Sequence, residues 1–316
     1  MWIRIDCSLF ETNQHINSLR QLLQIMTYKS KFNFFIDIGA IKNESIFDLF
    51  YPEINEIISH NYSLFISSSP TCNITISENQ SGLSIEEAII FLSNKFYIIL
   101  ENSTYDAHFL QALLREFKSK SKKINNHKEN GWLDFQMGGG AENIIPFLNG
   151  KDLKTYRCFV LVDSDKEFPL ESNKKTVLEN FCITNNIPYH ILEKREMENY
   201  MPSDIVENIN LLSQSIKSYI LLNSAQKDFF DLENGYAMSR PNLEIRKKLV
   251  HTFYSDVSDP NYDNLRNGLK SEFQNFKKEF SELFISATQE GLLQRTAEQN
   301  NPNELRDILQ KITIQL

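Results

Sequence analysis

The sequence offers little with which to staple a fold or grip a soft metal. It has four cysteines in 316 residues, Cys7, Cys72, Cys158 and Cys182, and no CxxC pair among them. That scatter excludes a disulfide framework and a zinc ribbon, and Cys158, inside an apolar run, reads as a small core residue. No apolar run approaches the ~18 residues needed to cross a bilayer. The opening Met-Trp-Ile-Arg-Ile-Asp-Cys lacks the basic-then-apolar order of a secretion signal, which predicts a cytoplasmic, reduced protein without a membrane partner. No GxxxxGK[ST] phosphate loop is present. No repeat period of about 20–50 residues occurs, which excludes a solenoid. Positive charge is also short: the net charge is −8. The one concentrated basic run is Lys118, Lys120, Lys122, Lys123 and Lys128, with His127 among them. It reads either as a solvated loop between a helix and a strand or as a phosphate-contacting patch beside an acidic site.

What is there describes a folded protein of ordinary composition, 41% hydrophobic and 23% charged. Residues 1–92 have mixed α/β character: a strand over 31–38, two short strands between Ser63 and Ile76 around Pro70, and a helix over Ile85–Leu92. Asp37 stands alone after its apolar run and reads as a cap or turn residue. Residues 93–202 alternate strand and helix. Strand 96–100 is followed by Asp106–Lys118, whose Ala107, Phe109, Leu110, Leu113, Leu114 and Phe117 mark one helical face. Strand 132–137 then leads through Gly138-Gly139-Gly140 to a helix containing Ile144, Ile145 and Leu148. Strand 157–162, a helix over 173–185 and strand 189–192 complete the unit. Such alternation predicts a mostly parallel sheet flanked by helices. Residues 203–316 read as helical, with candidates over 205–220, 244–253, 265–284 and 304–314 and a loop over 256–262. Phe273, Phe276 and Phe280 there read as a packing stripe.

The chemistry concentrates in Phe159-Val160-Leu161-Val162-Asp163-Ser164-Asp165. Four apolar residues predict a buried parallel strand, and two carboxylates at its end cost several kcal/mol unless a cation compensates them. A second strand-then-acid unit ends at Glu101; from 101 to 163 is a separation of 62 residues, room for two helix-plus-strand units. In a parallel sheet the C-terminal strand ends share one edge, where ligands bind. Oxygen ligands without a Cys or His cluster select a hard ion, Mg²⁺ or Mn²⁺, and such a site suits phosphoryl transfer. The three glycines permit close approach of backbone to a phosphate. Glu193, Lys194, Arg195, Glu196 and Glu198 bring further charge past the fourth strand.

Taken in order, Glu101 with Asp106, the triple glycine, Asp163-Ser164-Asp165, and Arg195-Glu196-Met197-Glu198-Asn199-Tyr200 resemble a Toprim domain over residues 95–200. The likeness is to nucleases of the OLD type and their standalone relatives in bacterial anti-phage systems. The resemblance implies that Glu101, Asp163, Asp165 and Glu198 hold one or two divalent ions, with Asp106 a further ligand or orienting group. Lys194 or Arg195 stabilises the phosphate, and Gly138, Gly139, Gly140, Lys120, Lys122 and Lys123 contact nucleic acid. It further implies an endonuclease acting on DNA or RNA, an ABC-type ATPase as a partner subunit, and homo-oligomers as an option. The choice of Glu198 over Glu196 or Glu193 follows motif position alone. One departure stands out: Asn102 follows Glu101, where many Toprim domains carry Gly. Two other readings stay open. A non-catalytic Toprim scaffold would dock a partner through the helical region. A phosphatase forming an aspartyl-phosphate would use Asp163 as nucleophile, although Glu167 stands where such enzymes carry Thr or Val.

Overall fold

The computed structural model describes residues 1–42, 44–78 and 82–316, and it is an α/β protein with two parallel sheets. The first sheet has the order β2-β1-β3, from β1 (Trp2–Ile5), β2 (Asn33–Ile36) and β3 (Ile74–Ile76). The second has the order β5-β4-β6-β7, from β4 (Phe96–Leu100), β5 (Leu133–Met137), β6 (Arg157–Val162) and β7 (Tyr189–Ile191). All its ladders are parallel, so every strand of this sheet delivers its C-terminal end to one edge. The four strands lie within one residue of where the sequence places them, although β5 (Leu-Asp-Phe-Gln-Met) alternates polar with apolar residues.

The pleat sorts the second sheet's side chains between two cores. Ile98, Leu100, Phe159 and Leu161 face one side, under helix Asp106–Glu116 and the C-terminal helices. Ile99, Cys158, Val160 and Val162 face the other, under Ile144, Leu148, Leu178 and Cys182 of helices Ala141–Asn149 and Thr176–Thr184. Every residue of β6 is buried. At ~1.5–3 kcal/mol for each fully buried large aliphatic side chain, this strand anchors the sheet. Residues 1–92 keep a core of their own, whereas residues 93–202 and 203–316 share one continuous core. The expected division at 202/203 is therefore no packing boundary. Phe276, Phe280 and Phe284 are buried in that shared core, with Phe276 and Phe280 stacked at 4.9 Å, so the phenylalanine stripe packs the fold.

Several elements differ from their sequence reading. Residues 52–68 form one helix, opened by Pro52 at its first turn, where short strands are expected from Ser63 on; its Ile54, Ile58 and Asn61 bury a 3.6-residue stripe that serine-rich alternation obscures. The lysine run is a helix too, Lys118–Glu129, held by buried Ser121, Ile124 and His127 rather than by any broad apolar face. Strand β1 has no counterpart in the sequence reading. The long C-terminal helices break up: 203–207 and 214–220 replace 205–220, and Gly268 at φ +64° separates Asp259–Leu265 from later turns. Asp37 closes a turn, its carbonyl accepting from the Ala40 amide at 3.0 Å. No helix among the described residues is long and apolar enough to cross a membrane.

Candidate metal centre

Strand pairing brings the acids together. Ile99 pairs with Val160, so Glu101 and Asp163 leave adjacent parallel strands at the same edge. β6 ends at Val162, and the Asp163 carboxylate accepts from the Met197 amide at 2.9 Å, tying this strand end to the turn Met197–Tyr200 after β7. The Ser164 and Asp165 amides donate to the Arg195 carbonyl at 3.1 and 3.0 Å, and the Ser164 hydroxyl to the Lys194 carbonyl at 2.7 Å. This lacing holds Asp165 at φ +56°, a left-handed conformation that Asp tolerates better than most residues. After β4, the Asn102 side chain accepts from the Thr104 and Tyr105 amides at 2.9 and 3.1 Å. Asp106 in turn accepts from the Asn102 amide at 2.7 Å. Asn102 thus builds with its side chain a turn that a glycine would allow without one, and it draws Asp106 back toward Glu101.

The acids are near enough to act on one another electrostatically. Burial pushes the Asp163 carboxyl well above the ordinary carboxylate range, and Glu101, Asp106, Glu198 and Glu196 add to it. Burial, then Glu198 and Glu101, raise Asp106 to about 7 against the Asn102 hydrogen bond. Burial and Glu198 raise Glu196 to about 8. Two lysines that the sequence reading missed meet these charges. Lys175, almost fully buried, bridges Glu101 Oε1 at 3.0 Å and Asp165 Oδ2 at 2.5 Å. Lys277 lies 3.3 Å from Glu198 and 3.7 Å from Glu233. Burial would lower its pKa, but Glu198, Glu196, Asp163 and Glu233 outweigh that and raise it. No local signal marks either lysine: Lys277 lies 79 residues from the acid it meets.

The set suits a hard divalent ion chemically. All donors are carboxylate oxygens, the acids outnumber the lysines, and buried Glu196 Oε2 has no hydrogen-bond partner. Among the described residues, however, no three His, Cys, Asp or Glu side chains stand close enough together to grip one ion. Lys175 holds Glu101 and Asp165, so an ion at this edge would have to displace its ammonium from them.

Other expected site residues fall elsewhere. Lys194 is buried away from the acids: its ammonium pairs with Asp228, donates to the Arg295 carbonyl at 2.7 Å and lies over the Tyr200 ring. It braces the core and cannot reach a phosphate at the sheet edge. Arg195 is closer, but its guanidinium is engaged by Asp231 at 2.9 Å, Glu196 at 3.4 Å and Glu167 at 3.8 Å. The glycine loop does sit beside Glu101, yet the Gly138 and Gly140 amides donate to the Leu100 and Glu101 carbonyls at 2.8 and 3.0 Å and are not offered to a phosphate. A Cβ on Gly138 would stand 2.5 Å from Ile144 Cγ1, so glycine here serves close packing. Lys120, Lys122 and Lys123 belong to the opposite end of the sheet. Their helix leads to Trp132, whose carbonyl accepts from Phe96 at the start of β4, and Lys123 interacts with Arg157 at the start of β6. A five-residue strand at ~3.3 Å per residue separates them from the acids. They form no patch beside the acidic site. Glu193 turns away as well, accepting from the Asn301 amide at 3.1 Å.

No protein-family model, no curated protein and no solved structure significantly matches this chain.

Proposed function

We propose that this chain is a Mg²⁺- or Mn²⁺-dependent nuclease of the Toprim type, hydrolysing phosphodiester bonds of DNA or RNA. The observation that carries the reading is the gathering of Glu101, Asp106, Asp163, Asp165, Glu196 and Glu198 at one edge of a parallel sheet, met among the described residues by Lys175, Lys277 and, at Glu196, Arg195. Such an excess of buried negative charge is costly without a cation. Glu101, Asp163, Asp165 and Glu198 would hold the ion or ions, and Asp106 would orient Glu101. When bound, a divalent ion neutralises charge on the phosphate and acidifies a water. Lys175, already between two of the acids, is the side chain suited to neutralise a phosphate oxygen. It replaces Lys194 in that role. With carboxyls raised to about 8 and about 7, Glu196 and Asp106 exchange protons near neutral pH, which suits acid–base work. The resemblance to standalone Toprim effectors makes anti-phage defence the proposed setting, with a separate ABC-type ATPase subunit as the proposed gate.

The test is cleavage of DNA and RNA by purified protein with Mg²⁺ or Mn²⁺, beside Asp163→Ala. Activity confined to the wild type supports the reading, and equal activity in both samples rejects it. One observation favours a second reading, a non-catalytic scaffold: Lys175 compensates Glu101 and Asp165 from within the chain. Calorimetry separates the two, because a scaffold neutralised by its own lysine takes up no Mn²⁺.

A further inference from the structure

At the end of the second sheet opposite the acids, a cavity of about 480 Å³ opens beneath the strand starts. Its walls include Phe96 and Arg157, which begin β4 and β6, Pro188 just before β7, Thr75 of β3, and Gln315 of the last helix. Arg157 is the anomaly. It is 2% exposed, and among the described residues it has no ion pair. Among the described residues its guanidinium makes two long hydrogen bonds, to the Asn94 and Gln315 carbonyls at 3.4 Å each, and its Nε has no partner. The rings of Phe32, Phe91 and Phe96 surround it at 5.0, 5.3 and 5.6 Å. A guanidinium carries five N–H donors, and a buried charge lacking a counter-ion costs several kcal/mol. Further positive charge stands close by. Lys31, itself buried, donates to the Leu92 carbonyl at 2.9 Å with no other hydrogen bond among the described residues, and Lys123 is near enough for Arg157 to disfavour its charge. Lys154 at the rim is paired with Glu87 at 2.5 Å. No carboxylate is bonded to Arg157, Lys31 or Lys123 among the described residues, in a chain whose net charge is −8.

We propose that this cavity binds an organic phosphate of about mononucleotide size, with the Arg157 guanidinium as the buried counter-ion of the phosphate. Three features select that chemistry. A phosphate monoester brings nearly two negative charges and three acceptor oxygens, matching a guanidinium with free donors amid other cations. The volume lies in the range of small-molecule sites. The remaining wall mixes Phe91 and Tyr156 rings with Asn73, Asn185 and Asn186 amides, suited to a planar, hydrogen-bonding group. The site joins residues from both sheets and the last helix, so its occupant would brace that junction, independently of the nuclease reading.

The test is thermal melting and calorimetry of the full chain with sodium phosphate, adenosine 5′-monophosphate, adenosine, and sodium chloride at matched ionic strength. Phosphate and the monophosphate are expected to bind and to raise Tm, while adenosine and chloride leave it unchanged. Binding of phosphate without the nucleotide still supports an anion site and identifies free phosphate as the occupant. Arg157→Gln and Lys154→Glu are each expected to weaken binding by about tenfold or more. If Arg157→Gln does not fold, Lys154→Glu, whose native side chain is 52% exposed, decides alone. Two results overturn the proposal: phosphate and the monophosphate acting no differently from chloride, or the folded variants binding as the wild type does.

Discussion

Asp106→Asn is the most informative single change at the acid cluster, because its effect on stability needs no substrate. The native carboxyl is raised from 3.8 to about 7, first by burial and then by Glu198 and Glu101. Folding therefore favours its protonated form. Below about pH 4 both folded and unfolded chains carry the proton and the group contributes no difference. As pH rises from there to about 7 the unfolded chain ionises first, so the native state loses stability, and above 7 the loss is constant. About three pKa units at 1.36 kcal/mol each give roughly 4 kcal/mol. Solvent at the part-buried side chain screens the charge and lowers the expected effect to about 1–3 kcal/mol. Asparagine removes the charge and keeps an acceptor for the Asn102 amide. In urea unfolding with EDTA, the variant is expected to match the wild type near pH 4 and to exceed it by about 1–3 kcal/mol at pH 8. It is also expected to bind Mn²⁺ more weakly in calorimetry. A variant destabilised equally at both pH values would refute the electrostatic account and make Asp106 a packing residue.

Three further outcomes follow from the same geometry. Lys194→Met, which unpairs one side of Asp228 in the core, is expected to lower unfolding stability by about 3 kcal/mol with Mn²⁺ affinity unchanged. Lost affinity at full stability would return Lys194 to the acid site. Gly138→Ala pushes a Cβ to 2.5 Å from Ile144 Cγ1 and 3.1 Å from the Leu100 carbonyl. It should cost about 2 kcal/mol, read as a lower Tm; an unchanged Tm would show that the loop has room. The double variant Lys120→Gln with Lys122→Gln is expected to leave Mn²⁺ binding unaltered, since these side chains serve the far end of the sheet, and a calorimetric change would contradict that placement.

The sequence by itself determined the second sheet and its acids. Strands buried on both faces must be continuous apolar runs, so Phe96–Leu100 and Arg157–Val162 declare themselves, and a charge that ends such a run is visible as an interruption. Glu101, Asp163 and Asp165 were legible for that reason, whereas Asp106 and Glu198 were named only through the resemblance. Elements without a strong period were not. The helix Lys118–Glu129 has little apolar face and exists because its neighbours bury Ser121, Ile124 and His127; the helix Pro52–Ser68 hides its stripe among serines. Only the tertiary structure decided which cations answer the acids. Lys194 and Arg195 are next to the motif in sequence, yet Asp228, Asp231 and Glu167 claim them, while Lys175 and Lys277 arrive from other elements. Long flexible side chains pair with whatever charge packing brings within a few ångströms, and chain proximity carries no information about that. The same holds for Arg157, an unremarkable residue at a strand start in the sequence, whose isolation among Phe32, Phe91 and Phe96 arises only where the two sheets and the last helix meet.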